Sequence, residues 1–175
     1  MPESNDPIDG ATLLAYVEEV ADDLPDDGVR RRLVIVGGAL LAWQGLRDAT
    51  RDVDSVERLD EVLKIAVERV AARHDLAPRW INDAAAQFLP AGFDLADATV
   101  VRDHPRLLVL GLSLDQVFVM KLFAGRAVDT DDLRQLWPHT SFGTAAAAVT
   151  AFEAAYPHED PDPNLADWLD SVVGD

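Results

Sequence analysis

Cysteine is absent from all 175 residues, which excludes disulfide frameworks, thiolate nucleophiles, iron–sulfur clusters and cysteine-based zinc sites. Lysine is nearly absent: Lys64 and Lys121 stand against thirteen arginines, so each lysine position carries information. Ten glycines and ten prolines in a chain that is 49% hydrophobic are too few for a low-complexity or disordered protein. The uncharged stretch 33–46 is too short and too interrupted by glycine to span a bilayer. The acidic N-terminal region has neither the basic nor the apolar part of a signal peptide, so a soluble cytoplasmic protein without membrane contact is expected.

Positive charge is also scarce. Fifteen bases against 32 acids give a net charge of -17, which taken whole argues against a polyanionic partner. The distribution changes that reading. Residues 1–27 hold nine acids and residues 153–175 hold seven, with no Lys or Arg in either segment. The remaining 16 acids share residues 28–152 with all 15 bases, so the centre is close to neutral and an RNA or nucleotide ligand stays open.

The length suits one domain, with a core over about 30–137 and acidic helical segments at 1–27 and 141–175. Leu13, Val17, Val20 and Leu24 recur at helical spacing after Asp9, predicting an amphipathic helix that ends before Pro25 with its acids on the solvent face. Leu33-Val34-Ile35-Val36 predicts a strand buried on both faces, stopped by Gly37-Gly38 and followed by a short helix. Residues 50–56 alternate polar and apolar and predict a second strand. Residues 59–70 predict a long helix; residues 98–102 and 106–112 predict a hairpin. Further helices are expected from Ser113 to Ala124, from Thr130, from Ser141 to Tyr156 and after Asp162-Pro163. Residues 75–96 are rich in turn signals, and their pattern assigns no element. The order predicts an α/β (α+β) fold: a small mixed sheet with flanking helices and a helical C-terminal part.

Asp52 and Asp54 stand two apart in a predicted strand, which sends both carboxylates to one face at roughly 6 to 7 Å spacing. Paired carboxylates suit Mg²⁺, which takes their oxygens together with substrate phosphates. A solvated strand face produces the same D-x-D spacing, so context decides between the two. Gly37-Gly38 lies between a strand and a helix, where backbone N–H groups can meet phosphate, although a tight turn also calls for glycine. Lys121 falls on the buried stripe of its helix with Leu114, Val117, Phe118 and Leu122, and a buried charge requires a partner. Arg126, Asp129 and Asp132 follow one or two turns later. Arg30-Arg31-Arg32 is too short for a nucleic-acid patch, but with Arg47 and Arg51 it adds local positive charge. Four scattered histidines show no metal-ligand spacing.

Val36-Gly37-Gly38-Ala39-Leu40, Gly45-Leu46-Arg47, Thr50-Arg51-Asp52-Val53-Asp54, Trp80-Ile81-Asn82-Asp83-Ala84, Met120-Lys121-Leu122 and residues 126–133 occur in an order that resembles a bacterial nucleotidyltransferase-like family. That family is related to the AbiE-type toxins of the polymerase-beta-like nucleotidyltransferase superfamily. The resemblance spans about 30–137. It implies that Gly37 and Gly38 hold the triphosphate, that Asp52 and Asp54 bind two Mg²⁺ ions, that Lys121 contacts phosphate, and that Asp52, Asp54 and Lys121 act catalytically. Arg47, Arg51, Arg126, Asp129 and Asp132 are the accompanying nucleotide-binding candidates. The implied activity is transfer of a nucleoside monophosphate from an NTP to an RNA hydroxyl, a tRNA 3′ end among them, or to a protein hydroxyl. The implied partner is a cognate antitoxin protein. Two departures stand out: Gly37-Gly38 replaces a Gly-Ser pair, and residues 106–112 hold no third carboxylate. They keep open a catalytically silent nucleotide-binding module on the same fold, and the acidic termini keep open a protein-interaction role.

Overall fold

A computed structural model describes residues 6–124 and 130–174. The chain divides into two compact units, one of Met1–Gln87 with Ala98–Leu112 and one of Phe88–Asp97 with Ser113–Asp175. The architecture is α+β, with a five-stranded mixed sheet and C-terminal helices.

In the first unit, strand β1 (Ile8–Asp9) leads into helix α1 (Gly10–Asp23). The Asp9 carboxylate caps α1 by accepting from the backbone N–H groups of Ala11 and Thr12 at 3.0 and 2.9 Å. The α1 stripe Leu13, Val17, Val20 and Ala21 is buried, and α1 packs against α3 (Glu61–His74), which buries Leu63, Ala66, Val67 and Val70. Between them run β2 (Arg31–Val36), α2 (Gly37–Trp43), β3 (Ala49–Thr50) and β4 (Val53–Ser55). After α3 come β5 (Ile81–Asn82), a 3-10 turn over Ala84–Phe88, and the hairpin of β6 (Thr99–Asp103) and β7 (Leu107–Gly111). The sheet order is β5-β4-β2-β7-β6. Central β2 runs parallel to β7 and antiparallel to β4, and Leu33, Val34 and Ile35 are fully buried, as the continuous apolar run predicts.

Two sequence expectations change here. The single strand over 50–56 is broken: β3 pairs with β1 in a separate two-stranded sheet, and only β4 joins the main sheet. The break has a local cause, because the Thr50 hydroxyl donates to the carbonyl of Asp52 at 3.2 Å and bends the chain between the two strands. The acids of α1 are not simply solvated. Glu18 accepts from Arg102 at 2.7 Å, Asp23 from Arg73 at 2.7 Å, and Glu19 pairs with His74 at 2.8 Å. The Arg102 guanidinium holds the Glu18 carboxyl below its ordinary range, and His74 does the same for Glu19.

The second unit holds α4 (Leu114–Ala124), α5 (Thr130–Leu136), α6 (Ala145–Ala155) and α7 (Leu165–Val173). The helix expected from Ser141 starts four residues later. Thr144 is the cap, accepting from the Ala147 N–H at 3.1 Å, while the Ser141 N–H is held by Asp115 at 2.7 Å. At the end of α6, the Tyr156 ring stacks on Phe123 with centroids 4.1 Å apart, and its hydroxyl donates to the Phe88 carbonyl at 2.9 Å.

Burial pushes the Tyr156 phenol up to about 12 from its ordinary 10.0. The folded state therefore favours the protonated phenol. The stability it contributes is complete below the ordinary value and is lost as pH rises through about 12. An alkaline titration followed by tyrosinate absorbance should show one of the two tyrosines ionising near 12, coupled to unfolding of the helical unit. Tyr156→Phe should remove that step.

Candidate functional site

The end of β2 makes the site. Gly37 has φ of 65°, a left-handed conformation that a side chain would strain, and it turns the chain from β2 into α2. Val36 pairs with Asp54 across the antiparallel β2–β4 ladder, so the carboxylate of Asp54 comes up beside that turn. A Cβ on Gly37 would lie 3.6 Å from Asp54 Oδ2. At Gly38 a Cβ would lie 2.7 Å from Thr50 Oγ1 and 3.0 Å from Arg47 Nη1. The glycine pair thus leaves room for a carboxylate, a hydroxyl and a guanidinium to close on the same stretch of backbone.

The strand that carries Asp54 is held from both sides. On one side lies β2. On the other, the Val53 N–H donates to the Trp80 carbonyl at 2.6 Å, and β4 pairs in parallel with β5. Trp80 is 1% exposed and its indole N–H donates to the Val67 carbonyl on α3 at 3.2 Å, which anchors β5 to the helix layer. Asp54 is half-buried, flanked along the strand by buried Val53 and Ser55.

Sequence-derived candidates fall into three groups. Gly37, Gly38, Arg47 and Asp54 are brought together with Thr50, which the sequence did not single out beyond its place in the motif. Asp52 is exposed on the bend just before β4, and Arg51 beside it is exposed. In the helical unit, Lys121 Nζ on α4 donates to Asp132 Oδ2 on α5 at 2.7 Å, with side chains 13% and 15% exposed. The buried lysine thus has the acidic partner that burial demands. Arg126 and Asp129 lie outside the described residues. The Arg30-Arg31-Arg32 run is committed elsewhere: Arg31 binds Asp27 and Asp60, Arg32 binds Glu57, and Arg30 binds Asp103.

Residues 11–144 match the sequence profile of a family described as "Nucleotidyltransferase of unknown function (DUF6036)". The chain belongs to this family. No curated protein and no solved structure matched in the corresponding comparisons. The matched segment contains the glycine turn, Arg47, Asp52, Asp54, Asn82, Lys121 and Asp132.

The donor set can be tested against Mg²⁺. The groups at the turn are hard oxygen donors, the Asp54 carboxylate and the Thr50 hydroxyl, with the Asp52 carboxylate two residues away. Among the described residues no group of three or more His, Asp or Glu side chains gathers to hold an ion. One or two carboxylates completed by substrate phosphates and water is the ordinary arrangement for Mg²⁺, so the residues fit that cation.

The close approach at Gly38 yields a direct test. Gly38→Ala places a methyl group 2.7 Å from the hydroxyl of Thr50, which is 5% exposed, so Thr50 or the turn beside Asp54 must shift. A displacement of that kind should weaken MgNTP binding about 10- to 100-fold while costing about 1 to 3 kcal/mol of stability. Titration calorimetry and a denaturant melt separate the two effects, with Gly143→Ala, where a Cβ meets nothing within 4 Å, as the control.

Proposed function

We propose that this protein transfers a nucleoside monophosphate from an NTP to a hydroxyl of an RNA, a tRNA 3′ end among the candidates, or of a protein. The observation that supports the reading most directly is the carboxylate of Asp54 set 3.6 Å from the Cβ position of a left-handed glycine, beside Arg47 and Thr50. Around that turn, backbone and guanidinium can face the triphosphate with no side chain in the way. Asp52 and Asp54 are the residues that would hold Mg²⁺, which when bound offsets the charge of the triphosphate oxygens. The acceptor hydroxyl oxygen forms the new bond to the α-phosphorus, the α–β P–O bond breaks, pyrophosphate leaves and the hydroxyl proton passes to water. Arg47 lies against Gly38 and is suited to steady a phosphate oxygen as negative charge builds during transfer. In the helical unit, Lys121 held by Asp132 is the proposed phosphate-contacting cation, with Arg126 and Asp129 as neighbours in sequence.

The order of the motifs supports a relation to AbiE-type toxins and with it a place in a toxin–antitoxin pair. Incubation with each labelled NTP, Mg²⁺ and total RNA or total protein tests the transfer. Labelled acceptor is the expected result; nucleotide binding with no labelled product under any condition would reduce the protein to a binding module.

A further inference from the structure

The motif Trp80-Ile81-Asn82-Asp83 contributes a buried tryptophan, yet its polar residues have no part in the transfer as described above. Strand β5 places Asn82 in register with Asp54 on β4, and Val36 pairs with Asp54 from β2. Strands β2, β4 and β5 are consecutive in the sheet. Val36 at the edge of the glycine turn, Asp54 and Asn82 therefore form one row across three strands. Adjacent strands lie about 4.8 Å apart, and paired residues project to the same sheet face. Asn82 is thus the next side chain beyond Asp54 on the face that the glycine turn opens.

This row also corrects where a third carboxylate should be sought. The neighbours of β4 are β2 and β5, while β7, which carries residues 107–111, lies beyond β2. Neither Arg31–Val36 nor Ile81–Asn82 supplies an acid. The position beside Asp54 holds a carboxamide, and its two ends are distinguishable. The Ala84 N–H donates to Asn82 Oδ1 at 2.9 Å, which fixes the oxygen, because a backbone donor cannot bond to an NH₂ group. The amide nitrogen has no hydrogen-bond partner among the described residues and keeps both protons available. Asp83 next to it is committed to the N–H of Leu59 at 3.1 Å. Where a third carboxylate would add a cation ligand, this chain presents a two-proton donor, and the complement of such a donor is an oxyanion.

We infer that Asn82 is a substrate-binding residue of the Asp54 site, its amide N–H groups donating to a phosphate oxygen of the bound NTP. This rests on the nucleotidyltransferase reading. The test is titration calorimetry of the full chain with MgATP, MgGTP, MgCTP and MgUTP. Asn82→Asp keeps an oxygen for the Ala84 N–H and nearly the same shape, and exchanges the donor for an anionic oxygen. Asn82→Ser keeps a neutral acceptor for the Ala84 N–H but replaces the two amide protons with a single hydroxyl on a shorter side chain that cannot reach as far, and it decides the matter if the aspartate variant fails to fold. Both variants should lose about 10-fold or more in affinity for whichever nucleotide binds best, with unchanged far-UV circular dichroism. Wild-type affinity in both variants overturns the inference and leaves the transfer reading standing. Tighter binding of Mg²⁺ or nucleotide by Asn82→Asp identifies the position as a cation ligand and also overturns it. A wild-type chain that binds none of the four nucleotides removes the transfer reading and this inference together.

Discussion

Asp54→Asn should abolish the proposed nucleotidyl transfer, with kcat/KM falling about 1,000-fold or more, while folding stability stays within about 1 kcal/mol. The size of the effect follows from position. Asp54 is the carboxylate that strand pairing sets against the glycine turn, opposite Val36 and 3.6 Å from the Gly37 Cβ position. An asparagine has the same shape and fits the same half-buried place between Val53 and Ser55, but it lacks the charge that would hold a divalent cation against a triphosphate. Label transfer to RNA or protein at saturating Mg²⁺ reads the activity, and a urea melt reads the stability. Asp52→Asn should cost less, because Asp52 sits exposed on the bend outside the strand. Equal activity of wild type and the double variant would exclude these carboxylates from the chemistry.

Trp80→Ala should cost about 3 to 5 kcal/mol, the usual range for emptying a fully buried tryptophan site. That is a large share of the 5 to 15 kcal/mol by which a domain is ordinarily stable. Trp80 is the largest of the fully buried side chains and packs edge-on to Tyr16 on α1, with centroids 6.0 Å apart. Its loss leaves a cavity between α1, α3 and the sheet, and strips the Val67 carbonyl of its indole donor. The consequence extends to the site. The Trp80 carbonyl accepts from Val53 beside Asp54, and Asn82 is two residues on, so loosening β5 releases one side of the strand that presents the carboxylate. Urea denaturation followed by circular dichroism gives the stability change, and MgNTP affinity at low urea gives the effect on the site. A loss under about 1 kcal/mol would mean that the site collapses around the missing ring.

The sequence disclosed those parts of the fold that are set by neighbours along the chain. The apolar run 33–36 reads as a buried strand and the stripe beginning at Leu13 as one face of a helix, because both patterns act within a few residues. Helix α6, expected from Ser141, is capped by Thr144, since Asp115, distant in sequence, engages Ser141. Strand β5 is two residues long and gives no periodicity; it exists because β4 offers an edge and Trp80 anchors it to α3. That is why Asn82 was legible only as part of a motif and not as a neighbour of Asp54.

The net charge of -17 shows the same division. The sequence located the negative charge in two terminal segments, and acids of the first are tied to basic side chains of the sheet and helix layer. Glu18, Glu19, Asp23 and Asp27 are spent on Arg102, His74, Arg73 and Arg31, so the N-terminal acids neutralise arginines of the central segment. Arg47 lies against Gly38, by the glycine turn.

By itself the sequence determined the α+β class, the glycine turn after a buried strand, the D-x-D pair and the nucleotidyltransferase resemblance, since each is written in residues close along the chain. Tertiary structure alone decided which of two aspartates meets the turn, which arginine accompanies it and what stands on Asp54's other side. Those are choices among strands brought side by side from distant segments, and hydrogen-bond register between strands, not spacing along one of them, fixes the outcome.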